Sequence, residues 1–243
     1  LAEAILLIIG KMPFFDAICH SLSTLSTGGF STRNNGIAAF SSPYIKAVIT
    51  LFMFFAGMNP ALFYFSVKRN FRKVFHNNEF ILYAILVSGF SLLVASLLFF
   101  TTRVPLSAAL SDGFFHTISV ITTTGFYTEN FSQWGNFLIT IIFILMFTGG
   151  MAGSASGGIK IIRLMIIAKN NRNEPKRLIH PYAYLPVSID QKKVPQNIVY
   201  NLLIFIILYF ISICTGTILI SFTDTICINL RDRDLPFSTG VTV

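Results

Sequence analysis

The sequence predicts an all-α membrane protein built from repeated units, each a long helix, a short helix, a Thr/Gly loop and a second long helix. Three observations predict it. Residues of the AVILMFWYC set make up 53% of the chain and charged residues only 12%, with a mean hydropathy of +0.70. A soluble domain carries about a quarter charged residues. Three apolar stretches, residues 44–65, 80–101 and 197–221, have the length of a bilayer crossing, which takes about 20 residues. A 17-residue stretch recurs at an offset of 96.

Residues 1–9 are apolar but too few to cross, so the chain reads as beginning inside a longer protein. Residues 13–24 and 105–119 are apolar and also short. As helices they cover roughly 18 to 23 Å of a ~30 Å hydrocarbon core. Each opens with Pro, which suits a first helical turn, and ends in a Thr/Gly run. That pattern predicts a re-entrant half-helix followed by extended backbone. Such backbone survives at membrane depth only where it is buried in protein or lines a water-filled path. Residues 44–65 read as one span, followed at once by Lys68, Arg69, Arg72 and Lys73. Residues 137–168 read as a span broken at 148–158, where five glycines fall in eleven residues. Against alanine those glycines cost a helix about 5 kcal/mol, so an unwound stretch is expected.

The basic residues account for the formal charge of +8 and lie between apolar spans. Lys68–Lys73 is one cluster; Lys169, Arg172, Lys176, Arg177, Lys192 and Lys193 form the other. The excess of Lys and Arg places both in the cytoplasm, and puts residues 30–43 and 126–135, with Arg33 and Glu129 as their charges, outside. No basic stripe of the nucleic-acid-binding kind is present. Cys19, Cys214 and Cys227 have no metal-ligand or disulfide spacing. Neither Ser154 nor Ser156 sits in a G-x-S-x-G turn, and Lys160 is not followed by Ser or Thr as a phosphate loop requires. Catalysis is not expected.

The repeat aligns residues 16–32 with 112–128, and seven of the 17 positions are identical: Asp, His, Ser, Thr, Gly, Phe and Thr. A basic segment follows each copy, so both copies have the same orientation. That is parallel repetition around a pore, as in tetrameric cation channels, and not the inverted kind of many transporters. A monovalent cation entering a membrane needs oxygens in place of its water, and successive main-chain carbonyls supply them. Glycine permits the torsions, Ser and Thr hydroxyls add oxygen or tie down backbone, and the half-helix aims its negative end at the path. Ser26, Thr27, Gly28, Gly29 and Phe30, and Thr122, Thr123, Thr124, Gly125 and Phe126, meet these needs. Asp16 and His20, like Asp112 and His116, are four apart and share a helix face. They are expected to brace the half-helices through hydrogen bonds near water at the outer ends, a proton relay or metal site being the alternative. Gly149, Gly150, Gly153, Ser154, Ser156, Gly157 and Gly158, with Lys160, are expected to form a gate below the loops; small-residue packing between helices is the alternative. Lys160 and Arg163 can reach the cytoplasmic surface or the loop carbonyls.

The Ser-Thr-Gly-Gly-Phe-Ser run at 26–31, the Val-Ile-Thr-Thr-Thr-Gly-Phe run at 120–126 and the glycine-rich stretch from Gly149 to Ile159-Lys160 resemble the Trk/Ktr/HKT superfamily of cation transporters, most closely its bacterial Trk-type pore subunits. The resemblance covers roughly residues 1–221. It implies four repeats around one pore, potassium (or sodium) uptake across the plasma membrane, a homodimer in the lipid bilayer and a cytosolic nucleotide-binding ring that regulates the gate. Residues 1–79 then correspond to the second repeat with a shortened first helix and 80–178 to the third. Residues 179–243 correspond to a cytoplasmic linker and the first helix of the fourth. Potassium ligands would be the main-chain oxygens of Ser26, Thr27, Gly28, Thr122, Thr123 and Thr124. The transported ion is the only ligand implied; no covalent cofactor and no nucleic-acid partner are. Arg231-Asp232-Arg233-Asp234 departs from the pattern, and Ser238-Thr239-Gly240 stands about three residues too far from Asp224 to copy the filter. A sodium-selective protein and a non-conducting or regulatory membrane subunit are the other readings; an intramembrane enzyme lacks its Ser/His or paired-Asp constellation.

Overall fold

The computed structural model describes residues 1–40, 42–69, 71–102, 104–128, 134–179, 187–189 and 192–234. Glu129 and the Ser238-Thr239-Gly240 tail lie outside these residues. The chain divides into two compact units, residues 1–193 and 194–243.

The first unit holds nine α-helices among the described residues: α1 (Ala2–Ile9), α2 (Phe14–Leu25), α3 (Pro43–Ala56), α4 (Pro60–Val67), α5 (Phe71–Phe75), α6 (Asn78–Thr102), α7 (Leu106–Ile121), α8 (Asn136–Leu145) and α9 (Ile161–Ile179). The short helices α2 and α7 are the two half-helices read from the sequence. Pro13 and Pro105 do not sit in the first turn. Each caps its helix from outside, at ψ 143°, because the proline ring fixes φ near −55° while leaving the extended entry open. The 137–168 span is broken as expected, between α8 and α9.

Residues 44–65 are not one continuous helix. They form α3 and α4, which meet at 116° across Gly57-Met58-Asn59. Pro60 has no N–H with which to continue α3, and it disfavours helical angles at the residue before it. The Asn59 side chain accepts the Ala61 N–H (2.9 Å) and starts α4 afresh. The basic linker carries one departure from the all-α plan, a two-stranded ribbon of β1 (Val187–Ile189) and β2 (Lys192–Val194).

One apolar core joins the two repeats: Leu7 and Met12, Ile45, Ile49 and Met53 of α3, Tyr83 of α6, Phe115 and Ile121 of α7, and Met151. The half-helix α7 crosses α6 at Gly113, where a methyl group would lie 2.7 Å from the Ala95 side chain. Small residues there let the two backbones touch. Outward faces stay apolar, with Leu92, Phe100, Phe137 and Phe143 exposed. That is the surface a lipid solvent requires.

The second unit is α10 (Gln196–Asp234), which runs through the charged Arg231–Asp234 stretch instead of ending before it. Two helices are long and apolar enough to cross a bilayer among the described residues: α6, and residues Gln196–Thr223 of α10, at mean hydropathies of 2.4 and 2.6. The bent α3–α4 pair makes a third on the same measure.

Candidate functional site

Both half-helices end in the same turn, bond for bond. Thr27 N–H donates to Thr24 O (3.1 Å) and Gly28 N–H to Ser23 O (2.8 Å); 96 residues on, Thr123 N–H donates to Val120 O (3.0 Å) and Thr124 N–H to Ser119 O (2.9 Å). These are the two hydrogen bonds of a Schellman cap. Thr27 and Thr123 take the left-handed position at φ 51° and 55°, followed two residues later by Gly29 and Gly125 at 68° and 81°. The loops are therefore not extended from their first residue, and threonine, not only glycine, carries the unusual torsions. The loops also touch. A methyl group on Gly29 would strike the Thr124 carbonyl oxygen.

The hydroxyls serve backbone tie-down. Thr24 Oγ1 donates to His20 O (2.8 Å), Thr27 Oγ1 to Ser26 O (2.8 Å), Thr122 Oγ1 to Ile118 O (2.7 Å) and Ser119 Oγ to Phe126 O (2.7 Å). Among the described residues, the carbonyls of Thr27, Gly28, Thr122, Thr123 and Thr124 accept no hydrogen bond from the protein. Thr122 and Thr124 are buried, and buried carbonyls in proteins are nearly always paired. Five unspent main-chain oxygens thus gather on two abutting loops. Ser26 O is the exception among the sequence-derived ligands.

Asp16, His20, Asp112 and His116 are buried, with Thr32 and Arg33 over Asp16 and Thr128 beside His116. Asp16 accepts from Thr32 Oγ1 (2.7 Å) and from Arg33 (2.9 and 3.2 Å), and so holds the segment leaving its own loop. Asp112 instead pairs with Lys46 of α3, tying one repeat to the next. His116 Nε2 lies 3.0 Å from Thr128 Oγ1, and its ring meets Trp134 edge-on at 4.7 Å. His20 braces through ring contacts, with Phe40 at 5.6 Å and Phe126 of the other loop at 5.9 Å.

The break between α8 and α9 forms a loop with a closed neck. Thr148 and Ile159 bridge in parallel, with Gly149 N–H on Ile159 O (2.9 Å) and Ile159 N–H on Phe147 O (3.1 Å). Glycine is needed there for close approach: a methyl group on Gly149 would strike Gly157 O, and one on Gly150 would lie 2.6 Å from Gly57 O. The loop docks on the α3–α4 elbow, where Met151 N–H donates to Gly57 O (2.9 Å). It is held by Glu79 of α6, whose Oε1 accepts the Ala152 N–H (2.6 Å). It reaches the upper loops directly, with Gly157 N–H on Thr123 Oγ1 (2.6 Å). Lys160 turns inward onto the loop oxygens. Thus Gly149, Gly150, Ser154, Ser156, Gly157 and Lys160 come together, with Gly153 beside Asn59 at the elbow. Sequence reasoning missed Lys46, Gly57 and Glu79. Lys46 was legible as a lone charge within an apolar run, whereas Gly57 and Glu79 acquire their roles only through tertiary contact.

Residues 2–99 and 90–226 match the TrkH family, described as cation transport protein. Over 199 residues the chain is 34% identical to the Trk system potassium uptake protein TrkH of Salmonella typhimurium, which covers 81% of this chain and 41% of that protein. It is 30% identical over 202 residues to the Trk system potassium uptake protein TrkG of Escherichia coli, covering 83% and 42%. The crystal structure of the potassium transporter TrkH from Vibrio parahaemolyticus superposes with a TM-score of 0.81 at 29% identity, covering 86% of this chain and 46% of that one. The chain spans about two-fifths of the length of the curated relatives it matches. The all-helical membrane architecture expected from the sequence is that of the solved transporter. The chain belongs to the TrkH family of membrane cation transport proteins, which are not enzymes.

Proposed function

We propose that the two Thr/Gly loops line a path for a desolvated monovalent cation and that the protein takes up potassium across the bacterial plasma membrane. The observation that carries the reading is the set of unspent carbonyls on Thr27, Gly28, Thr122, Thr123 and Thr124, on loops close enough for Gly29 to abut Thr124. Main-chain oxygens so placed replace the ion's water without any charged side chain. The names of the relatives, potassium uptake proteins, support potassium as the ion. The glycine-rich loop packed beneath Thr123 is the gate. Residues 1–79 and 80–178 act as the second and third of four repeats, and residues 179–243 as the linker and first helix of the fourth. A homodimer and a cytosolic nucleotide-binding ring complete the assembly that the family resemblance implies.

The test is growth at low potassium of an uptake-deficient bacterium expressing the protein as its gene encodes it. The native protein is expected to restore growth. Gly29→Val drives a branched side chain into the Thr124 carbonyl and is expected to abolish rescue. Gly125→Val meets open space but a φ of 81°, and is expected to impair rescue less. Equal rescue by the native protein and both variants would sink the filter assignment, and rescue on sodium but not potassium would change the ion.

A further inference from the structure

The gate loop folds around a cation that belongs to the chain itself. Lys160 Nζ lies 3.0 Å from Ser154 O, 3.3 Å from Ser154 Oγ and 3.1 Å from Ser156 Oγ, and it also contacts Ser156 O. The hydroxyl protons point away from this centre. Ser154 Oγ donates to Met151 O (2.7 Å), so the 2.7 Å contact between the two hydroxyls is a donation from Ser156 to Ser154. Ser156 Oγ further accepts the Gly150 N–H (2.8 Å). All four oxygens therefore turn lone pairs toward the ammonium. An ammonium and a potassium ion carry the same charge at similar size. An all-acceptor cage of two carbonyls and two hydroxyls suits either. The cage is next in line to the upper loops, through the Gly157–Thr123 hydrogen bond. Glu79 and Arg163 both lie near enough to act on Lys160 electrostatically, with opposite signs.

Resting on the proposed uptake function, we infer that the Ser154/Ser156 cage is a monovalent-cation site kept filled by Lys160 while the gate loop is closed, and that a permeating ion competes with the Lys160 ammonium for it. Lys160 is then a tethered competitor that holds the loop in shape and blocks the cage. Arginine does not replace it, since its planar fork cannot enter a cage built around a point charge.

The experiment is thallium anomalous scattering from crystals of the gene-encoded protein, native and Lys160→Met. Thallium stands in for potassium, and methionine keeps the apolar stem while removing the charge. The expected result is a thallium peak between Ser154 and Ser156 in the variant, none there in the native protein, and loss of the peak when Ser156→Ala is added. Resting rubidium uptake of Lys160→Met in vesicles is expected to rise by about tenfold or more, since charge-assisted hydrogen bonds that hold the loop are lost. Thallium at the upper loops but none in the emptied cage overturns this inference alone. Thallium at neither place overturns the uptake reading beneath it. If Lys160→Met does not fold, Lys160→Gln serves, with the same outcomes.

Discussion

Thr27 and Thr123 adopt a backbone conformation that β-branched residues rarely take, each one step past the end of a half-helix. Strain of this kind costs about 1–3 kcal/mol per residue and persists only where the surroundings over-determine it. Here two cap hydrogen bonds at each loop do so. Glycine would ease the turn at position 123, but it would leave the Gly157 N–H without its acceptor. The threonine thus couples the glycine-rich loop to the turn above it. The same trade-off of local cost against long-range contact appears at Lys46 and Asp112, whose side chains are 18% and 10% exposed. Removing one partner of a buried pair leaves an uncompensated charge, at about 3–5 kcal/mol. Lys46→Met is accordingly expected to lower stability by about 3 kcal/mol. Adding Asp112→Asn is expected to return more than half of that loss. Thermal unfolding of the single and double variants in detergent, read as a double-mutant cycle, checks this.

At the scale of elements, the α3–α4 elbow is the feature on which the glycine-rich loop and the second Thr/Gly turn converge. Its Gly57 carbonyl receives the Met151 N–H, and its Cα faces Tyr83 and Thr122. A methyl group at Gly57 would lie 2.5 Å from the Tyr83 hydroxyl and 2.7 Å from Thr122 Cγ2. Gly57→Ala is therefore expected to destabilise by about 1–3 kcal/mol through overpacking. Because one of the displaced groups belongs to the Thr122–Thr124 turn proposed to line the ion path, it should also slow ion uptake at substrate saturation. Calorimetry and rubidium flux on the same variant test both parts, and unchanged flux would detach the elbow from the proposed ion path. The elbow also departs from the unbroken helix that hydropathy predicts. Half-helices, Thr/Gly turns and the broken α8–α9 span were legible because Pro, the Asp/His spacing and clustered glycine impose them locally. Asn59-Pro60 carried an equally local signal, a helix cap followed by a first-turn proline, but the apolar residues around it matched an unbroken span. The docking of Ala152 on Glu79 and of Gly157 on Thr123 has no local signature at all. It depends on residues 73 and 34 positions apart meeting in space.

Across the whole molecule, the two repeats are joined asymmetrically. Phe126 of the second loop is buried against His20 of the first repeat, whereas its counterpart Phe30 is 79% exposed. The orientation from the charge pattern predicts that Asn34 lies outside and Lys73 inside. In a background with Cys19, Cys214 and Cys227 replaced by Ser, Asn34→Cys is expected to react with an impermeant maleimide on intact cells. Lys73→Cys should react only after lysis, and the reverse pattern would invert the topology. The closed neck at Thr148 and Ile159 has a mechanical meaning of its own. The chain closes on itself at one spot, so the ten residues between Thr148 and Ile159 form a pendant on a clasp. The bridge fixes where the two helices meet, so a change in length within the pendant is expected to be absorbed below the neck.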